Sequence, residues 1–197
     1  MARHKRKKPI YLPTEEDVQD MLDVMPDSPT GHRNKALLMV LVKSGIRVSE
    51  MCDLRPVDLD IEHGRMYVRY GKNGYDRWVK LFDTEGYLDR WLSYRATLGL
   101  RDSEPLLCCI SKNKVGKKVS RFYVAQMLKR VSINAGIEHR IHAHAFRHLL
   151  AHRLIMKNVP ILAIKEQLGH QNVWITEEYL NSLGGGRALS LLDDIDL

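Results

Sequence analysis

The chemically capable side chains of this chain are densest between residues 139 and 152, which hold five of its nine histidines. Such a cluster first suggests a metal. No His-Glu-x-x-His, paired cysteines or carboxylate set accompanies it, so neither zinc nor any other metal site is read here. The informative spacing is instead His144 to Arg147. Three residues apart on the first turn of a helix, both side chains point the same way, and the helix N-terminus adds positive potential. The pair outlines a site for an anion, although a His and an Arg so spaced also serve as solvated helix-face residues.

The overall charge agrees with an anionic ligand. Lys and Arg number 31 against 24 Asp and Glu, a formal net charge of +7. Arg3, Lys5, Arg6, Lys7 and Lys8 supply five positive charges and Asp193, Asp194 and Asp196 three negative ones, so residues 9–192 still carry +5. The N-terminal run reads as a solvated arm, a phosphate-tracking arm or a linker. The longest unbroken apolar stretch, residues 36–42, has seven residues, far short of the roughly 20 that span a bilayer. The basic start leads into Pro9 rather than an apolar signal segment. The expectation is a soluble chain, neither membrane-bound nor secreted. Cys52, Cys108 and Cys109 are an odd number without metal-ligand spacing, which suits a reducing compartment and buried thiols. The 197 residues allow one substantial core.

The elements that must position these groups follow from periodicity and caps. Thr14-Glu15-Glu16-Asp17 is a capping-box-like start for a helix over about 15–25, which Pro26 and Pro29 end. A second helix, about 32–44, is apolar on most faces and reads as the central buried helix, with Gly45 as its C-terminal stop. Arg47 sits just past it, before a short helix over 49–54. The period then changes to two at residues 65–70 and 78–81, and Gly71-Lys72-Asn73-Gly74 between them reads as a hairpin tip. Thr84 is the expected cap of a helix over 85–98 that Gly99 stops. Residues 106–110 read as a short strand or buried coil. Ser120 opens a helix to about Ala135, closed by Gly136, and two further helices, 144–157 and 161–168, are separated by Asn158-Val159-Pro160. Gly169 ends the last. A glycine joint at 184–186 precedes a short amphipathic helix over 188–195, and no internal repeat is visible. The expected class is α+β, mainly α, with a small antiparallel sheet. Its divisions are a basic arm (1–13), a catalytic domain (14–183) and a tail helix (184–197).

Several of these fragments, in order along the chain, carry a resemblance. Leu41-Val42-Lys43-Ser44-Gly45-Ile46-Arg47-Val48-Ser49-Glu50-Met51-Cys52-Asp53-Leu54 resembles the first box of the tyrosine recombinase, or phage integrase, family. His144-Ala145-Phe146-Arg147-His148, Leu168-Gly169-His170 and Tyr179, nine residues after that histidine, resemble its second box. The 71–74 hairpin stands where the family places a catalytic lysine. Together the motifs span residues 37–180. The resemblance implies that Arg47 and Arg147 grip the non-bridging oxygens of a scissile DNA phosphate, and that Tyr179 attacks the phosphorus to give a 3′-phosphotyrosine. It implies further that Lys72 protonates the leaving 5′-oxygen, with Lys80 or Lys43 as imaginable substitutes. His144 would be the acid/base partner, His170 a hydrogen-bond donor to the phosphate, and Glu50 a carboxylate steadying the arginine region. No metal, nucleotide or other cofactor is implied. The implied partners are double-stranded DNA and further copies of the chain, a dimer to a tetramer on DNA, with the tail helix docking on a neighbour or folding back on its own core. The setting would be the cytoplasm of a prokaryotic cell, or its virus or mobile element.

The chemistry asks for these residue types. A tyrosine of pKa near 10 is ionised roughly one part in a thousand at pH 7, about 4 kcal/mol to offset, so the phenol needs a base and positive surroundings. The transition state gains charge on equatorial oxygens, which planar guanidinium forks bind in two-point fashion. Expelling an alkoxide is equally unfavourable, so a proton donor is worth roughly 10²- to 10⁴-fold. Each residue also has an ordinary structural reading: Arg47 paired with Glu50, Lys72 a turn lysine, His170 a helix-end cap, Tyr179 a half-buried core phenol. Rival readings are a type IB topoisomerase, which Leu168-Gly169-His170 argues against, and a non-catalytic DNA-binding module on the same scaffold. The residues before Thr14 are too few for the clamp domain that members of this family usually carry, so weak, salt-sensitive duplex binding is expected. Phe146 stands where Leu is usual, a tolerable core swap.

Overall fold

The computed structural model describes residues 11–69, 76–84 and 86–169. Seven helices and three short strands follow one another within them. They are α1 (Glu15–Asp23), α2 (Pro29–Ser44), α3 (Val48–Asp53), a 3₁₀ turn (Pro56–Asp58), β1 (Leu59–Asp60), β2 (Arg65–Val68), β3 (Arg77–Lys80), α4 (Tyr87–Thr97), α5 (Arg121–Asn134), α6 (Ala143–Met156) and α7 (Ile161–Leu168). The strands form one antiparallel sheet in the order β1-β2-β3, with Tyr67 opposite Trp78 and Val68 opposite Arg77. The architecture is the mainly helical α+β class expected from sequence.

α2 is the axis of the core. Every residue from Ala36 to Val42 is at most 1% exposed, because α4 and α6 both pack on this helix. At about 1.5–3 kcal/mol per fully buried large apolar side chain, this one segment supplies a large share of the driving force for folding. Trp91 of α4 is fully buried and its Nε1 donates to the carbonyl of Leu106 at 2.8 Å. Arg95, also buried, donates to the carbonyls of Leu100, Arg101, Glu104 and Pro105 and so shapes the loop after α4. Residues 106–108 are buried coil with one bridge, Cys108 to Lys118. The three cysteines are free; Cys52 and Cys108 are buried, but Cys109 is only partly so.

Two local readings are corrected and one element was missed. Pro29 does not belong to a helix stop: it is the first residue of α2, where its missing N–H is no loss, behind Ser28, whose Oγ accepts from the Gly31 amide at 3.2 Å. Thr84 does not cap α4. Gly86 holds the cap position at φ 73°, and Thr84 contributes its carbonyl to the Tyr87 amide instead. β1 has no sequence signature, since two residues are too few to show a period.

The C-terminal half of the site depends on how α6 and α7 meet α2. Leu150, Ala151 and Leu154 of α6 pack on Ile164 and Leu168 of α7 as a small second core. Gly45, at φ 64°, stops α2 so close to it that a Cβ would stand 2.9 Å from Leu150 Cδ2. Gln167 then knits three elements: its Nε2 donates to the carbonyls of Ser44 and Lys80, and its Oε1 accepts from the Lys80 amide. Among the described residues no helix is long and apolar enough to cross a membrane.

Candidate active site

The chain turns at Gly45, buries Ile46, and places Arg47 at the N-cap of α3 with an extended backbone. Glu50, on the first turn of α3, folds back on it. One Glu50 oxygen accepts from the Arg47 amide at 3.0 Å and the other from Arg47 Nη1 at 2.9 Å. This is an i,i+3 pair in which the carboxylate is 5% exposed, unlike a surface ion pair, whose worth is usually under about 1 kcal/mol. Arg47 keeps 24% of its side chain exposed, and its Nη2 donates to the carbonyl of Gly169 at 2.8 Å. Two of its five N–H groups are thereby fixed by protein acceptors, and the guanidinium is held at a defined angle beside the end of α7.

Arg77 of β3 reaches the same carboxylate from the other side. Its Nη1 and Nη2 donate to the two Glu50 oxygens, each at 3.1 Å. Burial works to raise the Glu50 pKa, but the bonds and charge of Arg77, followed by those of Arg47, outweigh it and hold the carboxyl below its ordinary range. Sequence reasoning missed Arg77. A signal was present, since alternation from the buried Val79 puts residue 77 on the inner face of the strand, where an arginine demands a partner.

From α6 come His144, Arg147 and His148. Phe146 anchors the helix in the core, while Arg147, 1% exposed, donates from Nη1 to the carbonyl of Gly45 at 2.9 Å, two residues before Arg47. His144 retains a solvent-facing edge. Its pKa is lowered, first by partial burial and then by the charges of Arg147 and Arg47, so its imidazole is neutral at pH 7. Residues a hundred apart in sequence thus act on one ring. His148, which sequence reasoning did not single out, meets His144 edge-on with ring centres 4.5 Å apart, and partial burial, His144 and Arg147 push it down to about 4.

Lys72, His170 and Tyr179 lie outside the described residues, as do Arg3, Lys5, Arg6, Lys7, Lys8 and the tail over 184–197. His170 follows directly on Gly169, the residue whose carbonyl Arg47 binds. Of the substitutes for Lys72, Lys80 leaves the sheet on the face opposite Arg77, and its Nζ donates to the carbonyl of His63 at 2.9 Å. Lys43 is placed by its own carbonyl, which accepts from the Phe82 amide. Among the described residues no three His, Cys, Asp or Glu side chains gather as a metal-holding group. The arrangement presents a guanidinium and, within reach of its charge, a neutral imidazole, which suits an anion bound beside a group that gives up a proton.

The fold around this site is that of a tyrosine recombinase catalytic domain. The crystal structure of XerA recombinase matches 100% of the chain and 68% of its own with a TM-score of 0.72 at 20% identity. The post-cleavage complex of XerH site-specific recombinase bound to palindromic difH substrate matches 94% of the chain and 53% of its own at 0.76 and 24% identity. The family model described as the phage integrase family matches residues 13–184, and the chain belongs to that family. It is 36% identical over 177 residues to the tyrosine recombinase XerA of Thermococcus kodakarensis, covering 88% of the chain and 60% of that protein. It is 30% identical over 181 residues to XerC of Lactobacillus delbrueckii subsp. bulgaricus, covering 91% and 60%. The chain therefore spans about three fifths of the length of these relatives.

Proposed function

We propose that this chain is the catalytic part of a site-specific DNA recombinase that cuts and rejoins strands through a 3′-phosphotyrosine. The observation that carries the reading is the meeting of the segment bearing Arg47 with the helix bearing Arg147, the charges of both falling on the neutral His144. In this reaction Arg47 and Arg147 bind the non-bridging oxygens of the scissile phosphate and offset the charge gained in the transition state. Neutral His144 accepts the phenolic proton as the Tyr179 oxygen forms its bond to phosphorus. The bond from phosphorus to the 5′-oxygen breaks, Lys72 gives that oxygen its proton, and His170 donates to the phosphate. Rejoining is the reverse attack by a 5′-hydroxyl, with the bond energy kept in the covalent link.

The substrate is double-stranded DNA, in keeping with the chain's +7 charge. Residues 1–13 act as a basic arm, with Arg3, Lys5, Arg6, Lys7 and Lys8 on phosphates. Residues 14–183 are the catalytic domain, and the 184–197 tail docks on another copy of the chain when two to four assemble on DNA. A radiolabelled duplex nicked beside the cleavage point tests the chemistry, because the cut fragment diffuses away and the adduct accumulates. Wild-type chain should give a detergent-resistant, protease-sensitive adduct at the 3′ phosphate, and Tyr179→Phe none. Absence of an adduct from wild type on every duplex tried would favour a non-catalytic DNA-binding module.

A further inference from the structure

Arg77 is not among the groups assigned to the phosphate, yet its surroundings give it a part in the reaction. It stands opposite Val68 on the sheet face turned toward Glu50. From there its guanidinium spans both Glu50 oxygens, and Nη2 reaches the carbonyl of Leu168 at 3.4 Å. It also lies flat against Gly169, where a Cβ would stand 2.5 Å from Cζ. Arg47 closes the ring by binding the other side of Glu50 and the carbonyl of Gly169. Three elements distant in sequence, β3, the start of α3 and the end of α7, are thus tied together through one buried carboxylate. Oε1 of Glu50 accepts from both guanidiniums, and Oε2 accepts from Arg77 Nη2 and the Arg47 backbone amide, so the carboxylate that Arg77 orients is the one that holds both the backbone and the side chain of Arg47. A lysine could supply the charge of Arg77 but, as a point charge, cannot span two carboxylate oxygens.

We propose that Arg77 is a positioning residue for DNA strand cleavage: through Glu50 it fixes the plane in which Arg47 presents its remaining N–H groups to the phosphate, and through Leu168 and Gly169 it fixes where the chain leaves α7. This rests on the reading of Arg47 as a phosphate ligand given above. Misplacing a phosphate ligand by an ångström is enough to slow a reaction about 100-fold.

The test is a double-mutant cycle on single-turnover adduct formation with nicked duplex at saturating concentration, together with the duplex dissociation constant. The chains compared are wild type, Arg77→Gln, Arg77→Lys, Arg47→Ala and the double variant Arg47→Ala/Arg77→Lys. Arg77→Lys, which keeps the charge and the methylene packing, should slow the chemical step about 100-fold while changing duplex affinity less than about threefold. In the Arg47→Ala background it should slow the step markedly less, because the residue oriented through Glu50 is gone and only the contact with the end of α7 is left to lose. Equal slowing in both backgrounds, no slowing in either, or a loss confined to affinity would overturn the proposal. Should Arg77→Gln lose its helical circular dichroism, the Arg77→Lys pair decides. Failure of wild type itself to form an adduct refutes the functional reading and takes this proposal with it. A silent Arg77→Lys effect beside an active wild type refutes the positioning role alone.

Discussion

The residue that ties the site's acid–base behaviour to its stability is His148. Its imidazole is pushed down to about 4 by partial burial, by His144 edge-on against it and by Arg147, whereas in the unfolded chain it takes a proton near 6.5. A folded-state pKa below the unfolded one means that the unfolded chain binds more protons as pH falls. The neutral ring's contribution is complete above about pH 6.5 and lost as pH drops from there toward 4, by about 3 kcal/mol in all. Urea unfolding at pH 7.5 and 4.5 should show wild type losing about 2 kcal/mol more than His148→Gln over that interval. An equal loss in both would mean that the ring titrates as in water. His144 answers to the same two causes, burial and neighbouring cations, and this keeps it in the proton-accepting form at neutral pH. Both rings feel the charge of Arg147. The pairing of His144 with Arg147 was legible in their i,i+3 spacing along α6; the lowered pKa values were not, since they arise first from burial and, for His144, also from Arg47, which lies 97 residues away in sequence.

At the scale of elements, α7 ends at Gly169 for two separate reasons. Its φ of 64° is costly for any residue with a Cβ, and the space a Cβ would take belongs to the Arg77 guanidinium. Gly169→Ala should lower unfolding stability by about 1–3 kcal/mol in denaturant titration and slow adduct formation as well, since the clash pushes Arg77 off Glu50. Wild-type stability and rate in this variant would contradict the ring of contacts. The glycine stops at 45 and 169, the apolar α2 and the hairpin strands were legible in sequence because each is written in local chemistry. Other features were hidden for physical reasons. Pro29 reads alike as a stop or a start until Ser28 is seen bonding to Gly31. Strand alternation puts Arg77 on the inner face, but its partners were hidden because Glu50 and Leu168 lie 27 and 91 residues away. β1 exists only as the edge partner of β2.

For the molecule as a whole, folding brings the segment at residues 45–50, the inner face of the sheet and the N-terminal half of α6 to one place, and the end of α7 closes it. The axis α2 makes this possible, since its buried length holds both α4 and α6 while its C-terminal stop delivers Arg47. A site assembled this way serves an anion whose charge must be offset from two directions, and that demand can be removed from the substrate. The decisive measurement compares single-turnover adduct formation on a nicked duplex with an ordinary scissile phosphodiester and on one with a neutral methylphosphonate at that position, for wild type, Arg47→Ala and Arg147→Ala. On the phosphodiester each substitution should slow cleavage at least about 100-fold, as loss of a donor to a developing oxyanion does, and on the methylphosphonate the penalty should shrink to about tenfold or less. An equal penalty on both substrates for either arginine would show that it does not bind the charge on the phosphate, contradicting the account at its centre.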